Sequence, residues 1–522
     1  MAKIAIIKLF YGMTISCAQL AGHLLANGHQ PKVIFFKRQE VVQLSGYDKD
    51  EVVFGDVPMR SYAINKEGAS LYDTSTWKKN KPNELRHLVT LLKELQPDAI
   101  GITCLSHAMI QAESVTAHLR EYFDQPILWG GTGPTVEPDR SILHADLVCV
   151  GEGEDVFVEI AERLDNKQNL ENISGTWYRQ PDGTIQKNPK RAVADLEKIG
   201  MPAWEAEHFA YINGHRFERT FEPNAHNVDK SYQMMTQRGC PFSCSFCVES
   251  FYQNEFGKKD SLRRMSPQKA IRELLHAKHV LGYKTVTFMD DVFTVNPRWL
   301  EEFLALYKQQ IDLPFFCYTY PTTHNASMLT LLKDAGCHAI TMGVQSGSYR
   351  ILSDVYNRPT KIGRVTRAAQ EIIESGIAAA TFDLIPQTEF DKEEDLQQTL
   401  ELLLEIPKEM DSTFYNIMAY FPNYPIQEKF LDQQLLASSD RLTEDTYLYY
   451  FKLFGLTRTA MPSEQILAIA QDPQYRQNHD LLNPMLDDAN MLKPNYGELI
   501  ELGIQRQQAK LAAEKTVKSA QG

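Results

Sequence analysis

Two stretches of the 522-residue chain alternate short apolar, β-branched runs with segments of helical period, and this alternation constrains the fold more than any other feature. In the first, KIAIIK, PKVIFF, DAIGIT, PILWGG and DLVCVG read as strands. AQLAGHLLANG, ELRHLVTLLKEL, AESVTAHLREYF and EDVFVEIAERL read as the helices between them, with a polar stretch over residues 39 to 80. Strands joined through helices of this length cross over right-handedly and build a doubly wound parallel sheet, which binds ligands at the carboxyl ends of its strands. The alternation restarts at residue 231 and runs through KTVTFMDD, PFFCYTY, HAITMGVQSGS, AAATFDLIP and STFYNIMAYF, completing six strand-helix units. A partial parallel barrel of (β/α)6 type is its natural closure, again with chemistry at the strands' carboxyl ends. Ser266-Pro267 and Asn296-Pro297 carry helix-start signals.

These patterns predict an α/β protein with domains at 1–165, a connector at 166–230, the barrel at 231–437 and a helical region at 438–522. The connector holds a hairpin signal around Pro181-Asp182-Gly183, and Trp204 is expected to pack between domains. A composition of 43% hydrophobic and 23% charged residues suits several buried cores, and a net charge of −13 argues against a nucleic-acid surface. The opening MAKIAIIKLF lacks signal-peptide architecture and no run of 18 apolar residues occurs, so a cytoplasmic protein without a membrane span is expected.

Three of the eight cysteines, Cys240, Cys244 and Cys247, lie in RGCPFSCSFCVES at residues 238–250. Soft thiolates so close together hold iron or zinc. A structural zinc takes four protein ligands, whereas an iron-sulfur cluster on three cysteines keeps one iron open. No fourth Cys or His follows at zinc-finger spacing, and Cys317 and Cys337 read as buried structural thiols.

This Cys-x3-Cys-x2-Cys loop resembles the cluster loop of the radical S-adenosylmethionine (SAM) superfamily. The resemblance implies a 4Fe-4S cluster on Cys240, Cys244 and Cys247, SAM chelated by the open iron, and Phe246 against the adenine. It further implies SAM contacts from Asp290 and Asp291 after the second barrel strand and from Gln345 and Ser346 after the fourth. A glutamate commonly stands in that family where this chain has Gln345.

Thr103, Gly130, Gly131, Gly151, Glu152 and Gly153 follow the strands of the first sheet. From physics alone, glycines there either admit a large flat ligand to the backbone or make tight turns. PDAIGIT, WGGTGPTVEP and ADLVCVGEGE resemble the Rossmann-like cobalamin-binding domain found ahead of the radical SAM barrel in one subclass, which implies that these six residues contact cobalamin. The chain departs from the older cobalamin domains in having no histidine after the first strand, where it reads LFYGMTISCAQ. His107 is only a weak substitute as a ligand to cobalt.

The resemblance implies a methyltransferase that acts on an unactivated carbon through a 5'-deoxyadenosyl radical and methylcobalamin. Cyclases and rearrangement enzymes share the two cofactors, and a non-catalytic iron-sulfur redox or binding protein is the reading of another class. A small-molecule or peptide substrate and a one-electron donor such as flavodoxin or ferredoxin are the implied partners. The basic run Lys258, Lys259, Arg263 and Arg264 is a candidate surface for the donor, and Tyr318 and Tyr320 are expected to share one face of the third strand.

Overall fold

The computed structural model describes residues 1–11, 15–38, 42–44, 59–73, 80–223, 231–433, 441–486 and 496–520. The chain forms two compact units: Met1–Met59 with Asp73–His226 and Ala419–Tyr424, and Arg60–Tyr72 with Asn227–Met418 and Pro425–Gly522.

The first unit is built on strands β1 (Lys3–Tyr11), β2 (Gln30–Arg38), β3 (Ala99–Thr103), β4 (Ile127–Gly130), β5 (Leu147–Cys149), β6 (Thr176–Arg179), β7 (Ile185–Lys187), β8 (Phe209–Asn213) and β9 (Arg216–Glu218). They lie in the order β7-β6-β5-β4-β3-β1-β2-β8-β9. Strands β8, β2, β1, β3, β4 and β5 are parallel, and β6, β7 and β9 join antiparallel. The hairpin expected at Pro181-Asp182-Gly183 is the β6–β7 turn, with Gly183 at φ 87°. The chain runs from β1 to one side and later to the other, so the order reverses between β1 and β3, where open sheets of this kind take ligands. Helices cover both faces, which is why the central strands are apolar almost throughout. Ala5, Ile7 and Leu9 pack with Leu88, Leu92, Ala112 and Val115 of the helices Pro82–Leu95 and Met109–Leu119. Ile4, Ile6 and Lys8 therefore take the opposite face. Trp204 stacks on Phe209 at 6.3 Å inside this unit.

In the second unit, β10 (Tyr232–Met234), β11 (Val286–Phe288), β12 (Phe315–Thr319), β13 (Cys337–Gln345), β14 (Ala379–Gln387) and β15 (Asp411–Ile417) are parallel neighbours in chain order. This is the six-stranded barrel arrangement expected from the sequence. Ser266 and Asn296 cap the helices Pro267–His279 and Pro297–Gln310, each side chain accepting from the backbone N–H three residues on. An aromatic layer of Phe288, Phe293, Phe303, Tyr307 and Phe315 fills one face of the sheet. The far side of β15 does not stay open: Arg60–Asn65, from within the polar stretch, pairs antiparallel with it.

The helix Tyr496–Ala520 packs Leu499 and Ile500 on Phe316, Ala339 and Ala379. Arg506 pairs with Asp411 at 3.0 Å. These contacts lie at the first residues of β12 to β15, so the helix closes the end of the sheet opposite the strands' carboxyl ends. No helix among the described residues is long and apolar enough to cross a membrane.

Candidate functional site

Backbone hydrogen bonds from neighbouring side chains shape the cysteine loop. Gln253 Nε2 donates to the carbonyls of Cys240 and Phe242 at 2.6 and 2.8 Å, and the Ser250 hydroxyl donates to the Cys244 carbonyl. Gly239 is at φ 82°, and a Cβ there would lie 2.2 Å from the Ser261 carbonyl oxygen, so only glycine lets the loop enter. Ser245 ties the loop to the segment after β13, its N–H donating to the Tyr356 carbonyl and its hydroxyl to that of Val355. Phe242 packs on Tyr320, just past β12, at 4.3 Å, and Cys240 clusters with Tyr320 and Val292. The loop thus sits at the carboxyl ends of the barrel strands.

Burial, followed by the nearby Asp291 carboxylate among the opposing charges, pushes the Cys240 thiol up to about 12 and raises Cys247 well above its ordinary value. Such thiols release their protons when a metal cation replaces them. Among the described residues no three His, Cys, Asp or Glu side chains converge to hold one ion. An iron-sulfur cube does not need that convergence, because each thiolate binds a different iron, and the three-sulfur donor set on one pinned loop fits it.

Arg358, unremarked in the sequence, lies beside this loop. Its Nη1 donates to Cys244 Sγ at 3.4 Å and its Nη2 to the Gly343 carbonyl at 3.1 Å. The guanidinium sits 4.0 Å over the Tyr320 ring, whose hydroxyl bonds Thr360. On β14, Asp383 accepts from Thr413 Oγ1 at 2.7 Å; burial raises its pKa, and Arg358 opposes the rise. An isolated carboxylate in AAATFDLIP was the available signal for Asp383. Arg358 gave none, since an arginine in YNRPT reads as an ordinary loop residue.

The residues singled out by sequence separate into those facing this place and those built into its walls. Phe246 is half-buried, its ring edge-on to Tyr356 at 5.0 Å. Asp291 keeps accessible surface, and crowding around its carboxyl, with the Asp290 carboxylate second, raises its pKa to about 6. Asp290 is 0% exposed and committed to protein partners: Thr236 Oγ1 donates to it at 2.8 Å and Arg264 lies 3.8 Å away. Gln345 stands at a register shift at the end of β13 with φ 68°, and its Oε1 is sealed without a hydrogen-bond partner. A non-glycine residue in that conformation marks local strain. Ser346 is buried and accepts from the Ser348 N–H at 3.1 Å, while Ser348 donates to Asp395 at 2.6 Å.

Two expectations are corrected. Tyr318 and Tyr320 do not share a face, because β12 ends at Thr319. Tyr318 stays on the sheet with Phe316 beside the C-terminal helix, whereas Tyr320 turns to Phe242 and Arg358. The basic run is not a continuous surface either, since Arg264 is interior, beside Asp290 and 3.9 Å over the Trp299 ring.

In the first unit, Thr103, Gly130, Gly131, Gly151, Glu152 and Gly153 lie at the carboxyl ends of β3, β4 and β5. Gly131 is at φ 100°, and a Cβ there would stand 2.8 Å from the Cys104 carbonyl oxygen and 3.0 Å from Thr103 Oγ1. Gly151, at φ 103°, donates its N–H to Thr135 Oγ1 at 3.1 Å. Glu152 turns away to accept from the Ala194 N–H at 2.7 Å. Ser106 Oγ, Gln111 Nε2 and Glu137 Oε2 are sealed without hydrogen-bond partners. Burial, with Lys8 second, lowers His107 to about 4 and keeps it neutral. A glycine-lined strand end with unsatisfied polar atoms fits a large flat ligand carrying amide groups.

Comparison with known proteins matches residues 69–161 to the B12 binding domain and residues 234–403 to the Radical SAM superfamily. An uncharacterized methyltransferase of Pyrococcus horikoshii is 27% identical over 51% of this chain and 55% of its own length. The cytidylyl-2-hydroxyethylphosphonate methyltransferase of Streptomyces wedmorensis is 25% identical over 53% and 56%. The anaerobic magnesium-protoporphyrin IX monomethyl ester cyclase of Rubrivivax gelatinosus is 24% identical over 67% and 60%. The chain thus spans a little over half the length of these curated relatives. Among solved structures, the radical SAM methyltransferase TsrM of Kitasatospora setae, with cobalamin and a [4Fe-4S] cluster bound, superposes with a TM-score of 0.59 at 14% identity over 83% of this chain and 75% of that one. The cobalamin-dependent enzyme OxsB, with aqua-cobalamin and SAM bound, gives 0.57 at 14% over 96% and 66%. In this chain a match to the B12 binding domain thus precedes a match to the Radical SAM superfamily, and the fold is shared with these two cobalamin-dependent radical SAM enzymes.

Proposed function

We propose that the chain is a cobalamin-dependent radical SAM methyltransferase acting on an unactivated carbon of a small-molecule or peptide substrate, and that it draws single electrons from a flavodoxin- or ferredoxin-type donor in the cytoplasm. The observation that carries this reading is the pinned loop of Cys240, Cys244 and Cys247 with Arg358 bonded to the Cys244 sulfur. A 4Fe-4S cluster, SAM and cobalamin, when bound, supply hydrogen abstraction and a one-carbon donor, chemistry that side chains lack.

The residues of the chain bind, orient and exclude water. Cys240, Cys244 and Cys247 hold the cluster, and Arg358 is placed to take the SAM carboxylate, since a guanidinium fixed on two sides still offers donors. Phe246 offers a ring edge for the adenine, and Asp291 a carboxylate for the amino group. Asp383 and Gln345 offer acceptors for ribose hydroxyls. Phe242, Tyr320, Val292 and Val295 keep the cluster side apolar. Thr103, Gly130, Gly131, Gly151 and Gly153 form the cobalamin cradle.

The test uses anaerobically reconstituted protein, assayed for iron, bound corrinoid and 5'-deoxyadenosine after SAM and reductant are added. About four irons, bound corrinoid and a deoxyadenosine yield that Cys244→Ala abolishes are expected. Zinc in place of iron with SAM left intact sinks the reading. The cyclase of Rubrivivax gelatinosus, which aligns with 67% of this chain, keeps a second reading in play: a product that loses hydrogen without gaining a methyl group would favour ring formation.

A further inference from the structure

Gln345 is held at φ 68°, a conformation that a side chain makes unfavourable and that persists only where its surroundings fix it. The residues that follow it are tied to one helix. The Gly347 N–H donates to Thr399 Oγ1 at 3.0 Å, and the Ser348 hydroxyl donates to Asp395 Oδ1 at 2.6 Å. Within the loop, the Ser348 N–H donates to Ser346 Oγ at 3.1 Å. Both anchors stand one turn apart on the helix Glu393–Glu405, so they share a face. Gly347 lets the two backbones meet, since a Cβ there would stand 2.6 Å from the Gln398 carbonyl oxygen.

Asp395 is 3% exposed, and its carboxylate is fully used. Oδ1 accepts from Ser348 and from Arg350 Nε at 3.2 Å, and Oδ2 accepts from Arg350 Nη2 and from the Lys392 N–H at 2.8 Å. Arg350 also donates to the Phe390 carbonyl at 2.7 Å. Thr399 Oγ1 donates to the Asp395 carbonyl at 2.9 Å, which orients the hydroxyl to accept from Gly347. Despite burial, Arg350 and Ser348 hold the Asp395 carboxyl below its ordinary value, so it is ionised at neutral pH. Capping of the helix accounts for the Lys392 bond alone. The bonds to Ser348 and Gly347 fix the loop that leaves Gln345.

We propose that Asp395 and Thr399 are positioning residues for SAM: from one face of the helix Glu393–Glu405 they keep the strained Gln345 and the adjoining Ser346 in the conformation that meets the nucleoside. This rests on the reading of Gln345 and Ser346 as SAM contacts. Asp395 and Thr399 act through the Ser348 hydroxyl and the Gly347 N–H. Loosening either lets Gln345 relax toward the ordinary backbone regions and turns its side chain away.

The test uses the full-length, cluster-reconstituted protein and three variants. Thr399→Val removes the hydroxyl at nearly the same shape, and Thr399→Ser keeps it. Asp395→Asn offers amide donors where Arg350 and Lys392 need an acceptor. SAM is titrated into each reduced cluster and followed by electron paramagnetic resonance, and deoxyadenosine formation gives the KM for SAM and kcat separately. Thr399→Val and Asp395→Asn are expected to keep about four irons and to need about tenfold more SAM in both measurements. Thr399→Ser is expected to recover most of that loss. Amide hydrogen exchange over residues 345–348, measured before reconstitution, is expected to quicken in Thr399→Val and not in Thr399→Ser. Variants that melt lower yet give a wild-type SAM titration would show the two residues to be structural only and overturn the proposal, as would unchanged exchange over the loop. Where Asp395→Asn does not fold, the Thr399 pair decides. A wild-type cluster that ignores SAM overturns the SAM reading and this proposal with it. Failure of the clamp alone is told apart, because wild type then responds to SAM and the variants match it.

Discussion

Arg358 joins three groups at the carboxyl ends of the barrel strands: the Cys244 sulfur, the Gly343 carbonyl and the Tyr320 ring. A cationic donor at a cluster sulfur favours the reduced, more negative state and raises the reduction potential. Arg358→Met is therefore expected to keep about four irons per chain, because no cysteine is lost, and to shift the cluster potential to a more negative value. Its deoxyadenosine yield should fall about ten- to a hundredfold, the worth of one charge-assisted contact. A redox titration followed by electron paramagnetic resonance checks the first expectation and product assay the second. An unchanged potential would mean that Arg358 acts on SAM alone. The cysteines could be read from sequence because their ligand set is local to one loop. Arg358 could not, since its meaning depends on β13 and the cysteine loop meeting in space.

The helix Tyr496–Ala520 lies within the region that the sequence marks as helical, but its docking place was not legible, because the partner residues are single positions on three strands. Gly503 makes the close approach possible: a Cβ there would lie 2.1 Å from the His338 carbonyl oxygen. Gly503→Ala should lift the helix and cost about 1–3 kcal/mol, the usual penalty of overpacking. Faster hydrogen exchange at the first residues of β12 to β14, with a lower melting temperature, is the expected result. Gly363 is the control, since it is exposed in the helix Ile362–Ser375 with nothing within 4 Å of a Cβ. Gly363→Ala should stabilise by up to about 1 kcal/mol through helix propensity. The loop Gln345–Ser348 follows the same logic: a Cβ on Gly347 would stand 2.4 Å from Thr399 Cα, so Gly347→Ala should displace the loop and weaken SAM binding while iron content is retained. A matched loss of bound iron would show that the whole barrel had been disturbed.

Across the whole molecule, the order of a doubly wound sheet followed by a six-stranded parallel barrel could be read from periodicity, because buried parallel strands and amphipathic helices leave long regular signals. The strand Arg60–Asn65 could not, being short and set in a polar stretch, and only the open side of β15 explains it. Nor does a sequence reveal which carboxylates fold inside. Burial raises the pKa of Glu273, Asp290, Asp383, Asp391 and Asp411, whereas Asp395, despite burial, is lowered by Arg350 and Ser348. Glu273 is the clearest case. It is buried on the helix Pro267–His279, accepts from the Tyr232 hydroxyl at 2.8 Å, and is raised by burial from 4.5 to about 7. Between those values the folded chain keeps a proton that the unfolded chain has released, so stability falls as pH rises through the interval and stays reduced above it. The shift from 4.5 to about 7 corresponds to on the order of 3 kcal/mol. Glu273→Gln keeps an acceptor for Tyr232 and cannot ionise. Its urea midpoint should match wild type near about pH 5 and exceed it near about pH 8, with the gap opening across the interval. A gap of the same size at both ends would mean that packing, and not the proton, separates the two proteins.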